Sequence, residues 1–175
     1  HAGPGARRRA PARDAASAGP LHTPSKLLVM AHDNEIKDFL HRVDRLVEPA
    51  LLFGTGIDVE HLHTLVETVF DGRHVFTLRA HGPLPPSESD VTETIRNSFD
   101  GHGVLLVMMG ASTPPAVIRT LSRLCADGAF SERKDGAWVR HAPPPSWRMV
   151  VLADAATPDA LPPELADAFP AVMAL

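Results

Sequence analysis

Seven consecutive residues, Gly103-Val104-Leu105-Leu106-Val107-Met108-Met109, carry no polar side chain, and this run constrains the chain more than any other feature. It is far shorter than the roughly 18–20 apolar residues needed to cross a bilayer. A strand that is apolar on both faces must be covered on both faces, which points to a parallel sheet under two layers of helices. Further strand-like runs recur at Ala50-Leu51-Leu52-Phe53, at Trp147 to Leu152, where Arg148 is the one polar residue, and at Phe169 to Leu175. Arg73 to Leu78 alternates as a strand does. The expected central strands are Leu51–Phe53, Val104–Val107 and Met149–Leu152.

Between these runs the apolar residues take helical spacing. Lys26 to Met30 is a further apolar run, and Asp33 is placed to cap a helix that follows it. Ile36, Phe39, Leu40, Val43, Leu46 and Val47 fall on one face of that helix, and Pro49 ends it. A second helix is expected from near Asp58, with Val59, Leu62, Val66, Val69 and Phe70 inward and Gly72 as its stop. After a Pro/Ser loop from Gly82 to Ser89, Val91, Ile95 and Phe99 recur at intervals of four. Thr113 is expected to cap a helix with Pro114 in its first position; Ile118, Leu121 and Cys125 line its core face and Gly128 ends it. Residues 129–146 are irregular and long enough for a hairpin, and 161–168 read as a short helix. Right-handed crossovers then give a three-layer, doubly wound parallel sheet of about five strands.

Composition bounds the partners. The 175 residues carry a formal charge of −4, which gives no electrostatic reason to expect nucleic acid or an anionic membrane surface. The single cysteine, Cys125, rules out an internal disulfide. Residues 1–25 are rich in Ala, Gly, Pro and Arg, include Arg7-Arg8-Arg9, and read as a disordered leader. Residues 26–175 read as the α/β domain.

In a doubly wound sheet, ligands bind at the carboxyl ends of the strands. There the sequence places Gly54-Thr55-Gly56-Ile57-Asp58-Val59-Glu60-His61, between a strand and a helix. A working phosphate loop, GxxxxGK[ST], uses glycines to bring backbone N–H groups around phosphates, a lysine to neutralise them and a hydroxyl on Mg²⁺. Two glycines remain here; Glu60 or His61 stands at the lysine position, and Asp58 adds a carboxylate. A carboxylate about 4 Å from a phosphate is repelled by roughly 1 kcal/mol in water and about 4 kcal/mol at an effective dielectric of 20. Taken alone, Gly-x-Gly after a strand is more readily a tight turn than a nucleotide site. The acidic pair that should hold Mg²⁺ after the next core strand is replaced by Met108 and Met109, whose thioethers are poor ligands for a hard cation. Asp154 occupies the polar sensor position. His61 and His63 are two apart on a helix and face different ways, so no metal site is expected, even with His74 and His81 near in sequence. Cys125 reads as a core residue.

The order strand, degenerate phosphate loop, helix, apolar strand, helix, strand, then Leu161 to Val172 resembles the large subdomain of AAA+ P-loop ATPases. Within that class it is most similar to a dynein heavy-chain ring module, the fourth. The residues carrying the likeness are Leu28-Val29-Met30, His41-Arg42-Val43-Asp44-Arg45, Leu51-Leu52-Phe53-Gly54, Leu121 to Leu124 with Gly128 and Phe130, Val150-Val151-Leu152, and Phe169-Pro170-Ala171-Val172-Met173. The arginine usual before the last strand is replaced by Asp167-Ala168, and the chain stops at Leu175, short of the helical lid. The resemblance implies a non-hydrolysing module, structural or regulatory in an ATPase ring, with no cofactor expected and ATP or ADP with Mg²⁺ doubtful. The parent motor would be the ATPase. Implied partners are neighbouring AAA+ modules of the same heavy chain and, through the motor, the microtubule, in cytoplasm, cytoskeleton or ciliary axoneme. Two other readings stay open: a stand-alone α/β interaction domain of P-loop-like architecture, and a weak nucleotide-binding AAA+ ATPase.

Overall fold

The computed structural model describes residues 22–175, with side chains from residue 32 onward. The chain divides into a unit over residues 1–38 and another over residues 39–175. The proposed leader lies outside the described residues as far as residue 21. From His22 the backbone is helical, and α1 runs unbroken over His22–Leu46. The apolar run Lys26–Met30 is therefore helical, not a strand, and Asp33 lies inside the helix rather than capping it.

The second unit continues with β1 (Ala50–Gly54), α2 (Val59–Val69), β2 (Val75–Arg79), α3 (Glu88–Asp100), β3 (Val104–Met109) and α4 (Pro115–Asp127). A hairpin follows, β4 (Phe130–Lys134) and β5 (Ala137–His141), then β6 (Arg148–Asp154), a 3₁₀ turn (Pro158–Ala160), α5 (Pro163–Ala166) and β7 (Ala171–Ala174). The five long-range strands form one sheet in the order β2-β3-β6-β1-β7, with every pairing parallel. The three strands expected at the centre are the three inner ones. All six residues of β3 are buried.

Period-two alternation splits β3 between two cores. Leu105, Val107 and Met109 join Leu51, Met149, Val151, Ile95, Leu121 and Leu165 in one cluster, beneath α3, α4 and α5. Val104, Leu106 and Met108 are equally buried but face the other way. On that side the buried helical residues are Leu62, Leu65, Val66 and Val69 of α2, with Phe39, Leu40 and Val43 of α1. Leu46 and Val47, expected on the same face, are instead exposed. The helix ends at Leu46, and Val47 turns away with φ 55° ahead of Pro49.

Helix ends follow local chemistry. Ser87 and Asp90 form a full capping box at α3. Gly128 closes α4 in the left-handed conformation. The start of α4 differs from the expectation by one residue. Pro114 is its cap residue and Pro115 its first, while the Thr113 hydroxyl accepts from Gly110 N at 2.9 Å. The hairpin turns at Asp135 and Gly136, both with positive φ, as a two-residue turn of the primed type requires. Its base is held in the core by Phe130, which packs against Phe99, itself edge-on to Trp147.

Because Leu106 is fully buried in the second of the five strands, Leu106→Asp places an unpaired charge where no water reaches. The substitution is expected to abolish cooperative thermal unfolding, followed by circular dichroism. A soluble variant with a sharp transition would contradict the central place of β3.

Candidate functional site

The carboxyl ends of β1, β3 and β6 lie level. In register, Met109 stands beside Ala153, Phe53 beside Ala153 on the other side, and Gly54 beside Asp154. These ends meet above the loop between β1 and α2. A cavity of about 240 Å³ opens there, lined by Gly56, Ile57, Val59, His81, Met108, Met109, Leu152 and Asp154. The structure thus brings together three groups that are far apart in sequence: the loop, the methionine pair and Asp154. A second cavity, about 360 Å³, shares Met109 and Asp154 and extends past Thr113 toward Leu161.

Within the loop the roles divide. Gly56, Ile57 and Val59 line the cavity, whereas Gly54, Thr55, Asp58, Glu60 and His61 do not. Asp58 is the N-cap of α2, and its carboxylate accepts from the backbone N–H of His61 at 3.2 Å. That N–H is one of the orphan donors with which a helix start would hold a phosphate. A side-chain anion of the chain itself already engages it. Glu60 is exposed on the first turn of the helix. The side chain of Ile57 lies across Gly54, where a Cβ would come within 3.4 Å of it.

Met108 and Met109 are almost fully buried at the end of β3. Arg79, at the end of β2, sets its guanidinium Nη1 3.9 Å from the Met108 sulfur, but it does not line the cavity. The charged side chain that does is Asp154, so among the described residues no Lys or Arg lines this space. His81, which the sequence reading did not place here, is the remaining titratable group of the lining. Its ring packs against Gly110, where a Cβ would lie 3.3 Å away. It follows a strand whose place in the sheet depends on long-range pairing, so spacing along the chain gave no signal for it.

No group of three His, Cys, Asp or Glu side chains suited to a metal ion occurs among the described residues. His63 is held by Glu67 at 2.8 Å one helical turn on. At the opposite end of the sheet, a cavity of about 320 Å³ is lined by Val47, Pro49, Cys125, Pro143 to Pro145 and Trp147. Burial pushes the Cys125 thiol up to about 12, which makes it a poor nucleophile. No described helix is long and apolar enough to cross a membrane.

No protein-family model matches the sequence, and no curated protein does. Solved structures do resemble the fold. RuvB of Thermotoga maritima, as the P216G mutant, superposes with a TM-score of 0.60 at 14% identity, over 82% of this chain and 46% of that one. NtrX from Brucella abortus in complex with ADP gives 0.54 at 15%, over 96% and 43%. A chain of the Drosophila ORC bound to DNA gives 0.53 at 14%, over 85% and 90%. The chain thus spans under half the length of the RuvB and NtrX chains. The domain has the α/β fold of AAA+ P-loop ATPase domains, and none of these neighbours points to dynein in particular.

Two measurements test this description. Asp58→Ala removes the cap and is expected to lower stability by about 1 kcal/mol in urea unfolding; a variant as stable as the parent would show that the cap is not formed. Cys125 carries a thiol pKa raised by burial from 9.0 to about 12 in the folded chain. The stability this gives is complete below pH 9 and is lost as the pH climbs toward 12. At pH 9, labelling of Cys125 is expected to be much slower in native protein than in urea, and equal rates would overturn the assignment.

Proposed function

We propose that this domain is a non-hydrolysing AAA+ module, structural or regulatory in character, which serves neighbouring ATPase modules rather than turning over nucleotide itself. The observation that carries the reading is the chemistry of the strand-end cavity. The loop beside it has Glu60 or His61, neither of which lines the cavity, where phosphate-loop chemistry needs a lysine. Where Mg²⁺ needs carboxylates, the chain has Met108 and Met109. The helix start that would receive phosphates is engaged by the Asp58 carboxylate. Preorganised positive charge is commonly the largest contribution to phosphoryl-transfer catalysis, and its loss is expected to cost several kcal/mol of transition-state stabilisation.

The finer proposal is a ring module of a dynein-type heavy chain. It is supported by the order of Leu51-Leu52-Phe53-Gly54, Val150-Val151-Leu152 and Phe169-Pro170-Ala171-Val172 along the chain. On that proposal the partners are adjacent AAA+ modules and, through the motor, the microtubule, and the protein works at the cytoskeleton or in the axoneme.

The test is a titration with fluorescent ATP and ADP in millimolar Mg²⁺, paired with phosphate release; ADP is included because NtrX was solved with it. Neither binding in the micromolar range nor hydrolysis is expected. Glu60→Lys is expected to create weak binding without hydrolysis. Micromolar affinity in the parent chain, lost when Gly54 to Glu60 is mutated, would replace this reading with that of a nucleotide-binding ATPase.

A further inference from the structure

The hairpin of β4 and β5 is a two-stranded ribbon outside the main sheet, and its two faces differ. Phe130 and Glu132 turn toward the domain. The Glu132 carboxylate holds Arg96 of α3 at 3.1 Å and His141 of β5 at 2.9 Å, so its charge is engaged within the chain. The alternate residues Ser131, Arg133, Trp138 and Arg140 share the other face, and all four are exposed. Trp138 is 68% exposed, the one aromatic ring among the exposed large apolar side chains of the described residues. The Arg133 guanidinium lies 5.9 Å from the centroid of that ring, directly across the strand pair. A lone exposed tryptophan needs no explanation; this one is set between two arginines. None of the ion pairs among the described residues engages Arg133, Lys134 or Arg140.

The backbone beside this face is open on one side. The two-residue turn at Asp135 and Gly136 makes Lys134 and Ala137 the closing hydrogen-bonded pair. Bonded and non-bonded pairs alternate from there, so Arg133 with Trp138 and Ser131 with Arg140 are non-bonded pairs. Their N–H and C=O groups point out of the ribbon. α4 lies beside β4. Beside β5 no described strand is paired, and no backbone hydrogen bond from Trp138 to Arg140 leaves the ribbon among the described residues. Where β5 approaches α3 there is a hollow of about 360 Å³, lined by Arg96, Phe99, Asp100, Arg140, His141 and Ala142. Side chains on one face of an extended segment repeat about every 7 Å. Trp138 and Arg140 therefore present a flat apolar surface and a cation at the spacing of alternate residues in a neighbouring strand.

We propose that the free edge and outer face of β5 are a docking surface for an extended, acidic segment of a partner protein, which adds to the hairpin as a third strand. Main-chain pairing supplies affinity, as in other cases of strand addition. Carboxylates on the segment's near face meet Arg133 and Arg140, and the stems of those side chains cover Trp138. Cations on an edge strand guard against indiscriminate pairing, and the same cations leave this edge open to a strand of opposite charge. Charge complementarity selects the partner: three basic groups without ion pairs stand together on a chain whose net charge is −4. Single-stranded nucleic acid would also meet cations and a stacking ring. It has no backbone groups to pair with a strand edge, however, and the carboxylates of Asp135 at the turn and Asp100 in the hollow disfavour a continuous polyanion. The inference stands whether or not the strand-end cavity binds nucleotide.

The full chain would be titrated at low ionic strength into a labelled peptide of alternating glutamate and valine, about eight residues long, and followed by fluorescence anisotropy. Binding is expected at micromolar to submillimolar concentration, weakening as salt is added. Trp138→Ala and Arg133→Gln/Arg140→Gln are each expected to weaken it by about tenfold, with circular dichroism unchanged. Arg42→Gln/Arg45→Gln, on α1, makes the same change of charge and is expected to leave binding unaltered. The same peptide N-methylated along its backbone keeps its carboxylates and is expected not to bind. The proposal fails if the peptide does not bind at about 1 mM, or if Arg133→Gln/Arg140→Gln binds it as the parent does. It fails equally if the N-methylated peptide or a lysine–valine peptide binds as well. Tighter binding of oligothymidylate than of the peptide would reassign the face to nucleic acid. Self-association lost in Arg133→Gln/Arg140→Gln, read by sedimentation, would reassign it to a second copy of the chain.

Discussion

The double burial of β3 is the constraint from which the rest of the structure follows. Six successive side chains, Val104 to Met109, leave water on two opposite faces, and each is worth about 1.5–3 kcal/mol of transfer free energy. That gain exists only while a strand pairs on either edge and helices cover both sides. β2 and β6 provide the edges, in registers that pair Val104 with Val75 and with Arg148. A slip of one residue would exchange the two cores, sending Leu105, Val107 and Met109 to the side now filled by Val104, Leu106 and Met108. The register in turn fixes where the strands stop. Met109, Ala153 and Phe53 end at one level, and this brings the loop, the methionines and Asp154 around one cavity.

The two ends of the sheet are built by different means. At the amino end, one carboxylate gathers three entries of the chain. Asp44 meets Arg73 at 3.0 Å and Arg148 at 2.9 Å, linking the end of α1 to the approaches to β2 and β6. The second guanidinium would be uncompensated, but backbone oxygens share the load. Arg148 donates to Asp44 O, Pro145 O and Trp147 O, and Arg73 to Ser146 O. Such a network is stable because nearly every donor has an acceptor. At the carboxyl end no comparable ionic network ties the loops together among the described residues; Gly110 is held by the Thr113 hydroxyl and Gly82 by Ser112. The stitched end fixes the strands, and the end carrying the β1–α2 loop, the methionines and Asp154 is shaped by side chains.

Much of this was legible in the sequence, for a physical reason. A strand buried on both faces must be apolar throughout, so β1, β3 and β6 appear as unbroken runs, and their central place follows from that. Periodicity failed where a run was too short to distinguish its period. Lys26 to Met30 resembles a buried strand in isolation, yet it is part of a 25-residue helix. Leu46 and Val47 continue the helical pattern but lie where the backbone has already turned, so they are exposed. Thr113 has the chemistry of a cap, but its hydroxyl serves the turn at Gly110, and Pro114 takes the cap position. In the cavity, Met108, Met109 and Asp154 were legible because each ends a core strand. His81 was not, because it ends up there through the pairing of β2 with β3, which has no local signature.

The two glycines of the β1–α2 loop bear on what such a loop signifies. In a phosphate loop, glycines are explained by the close approach of a ligand. Here each has a reason internal to the chain. Gly54 lies under Ile57 and beside Leu175, where a Cβ would come within 3.3–3.4 Å of both. Gly56 holds φ +64°, a conformation that a side chain makes costly. Asp58 then caps the helix, giving its first turn the anion that the helix start favours. The turn is therefore satisfied by its own residues, with no phosphate needed to account for its composition. Gly-x-Gly at this position is the signature of a strand-to-helix turn, and the chemistry of the site has to be judged from the groups that line the cavity. Those groups are thioethers, aliphatic side chains, one imidazole and one carboxylate. They offer a polyanion no fixed positive charge among the described lining residues, and the proposal of a non-hydrolysing module rests on that chemistry.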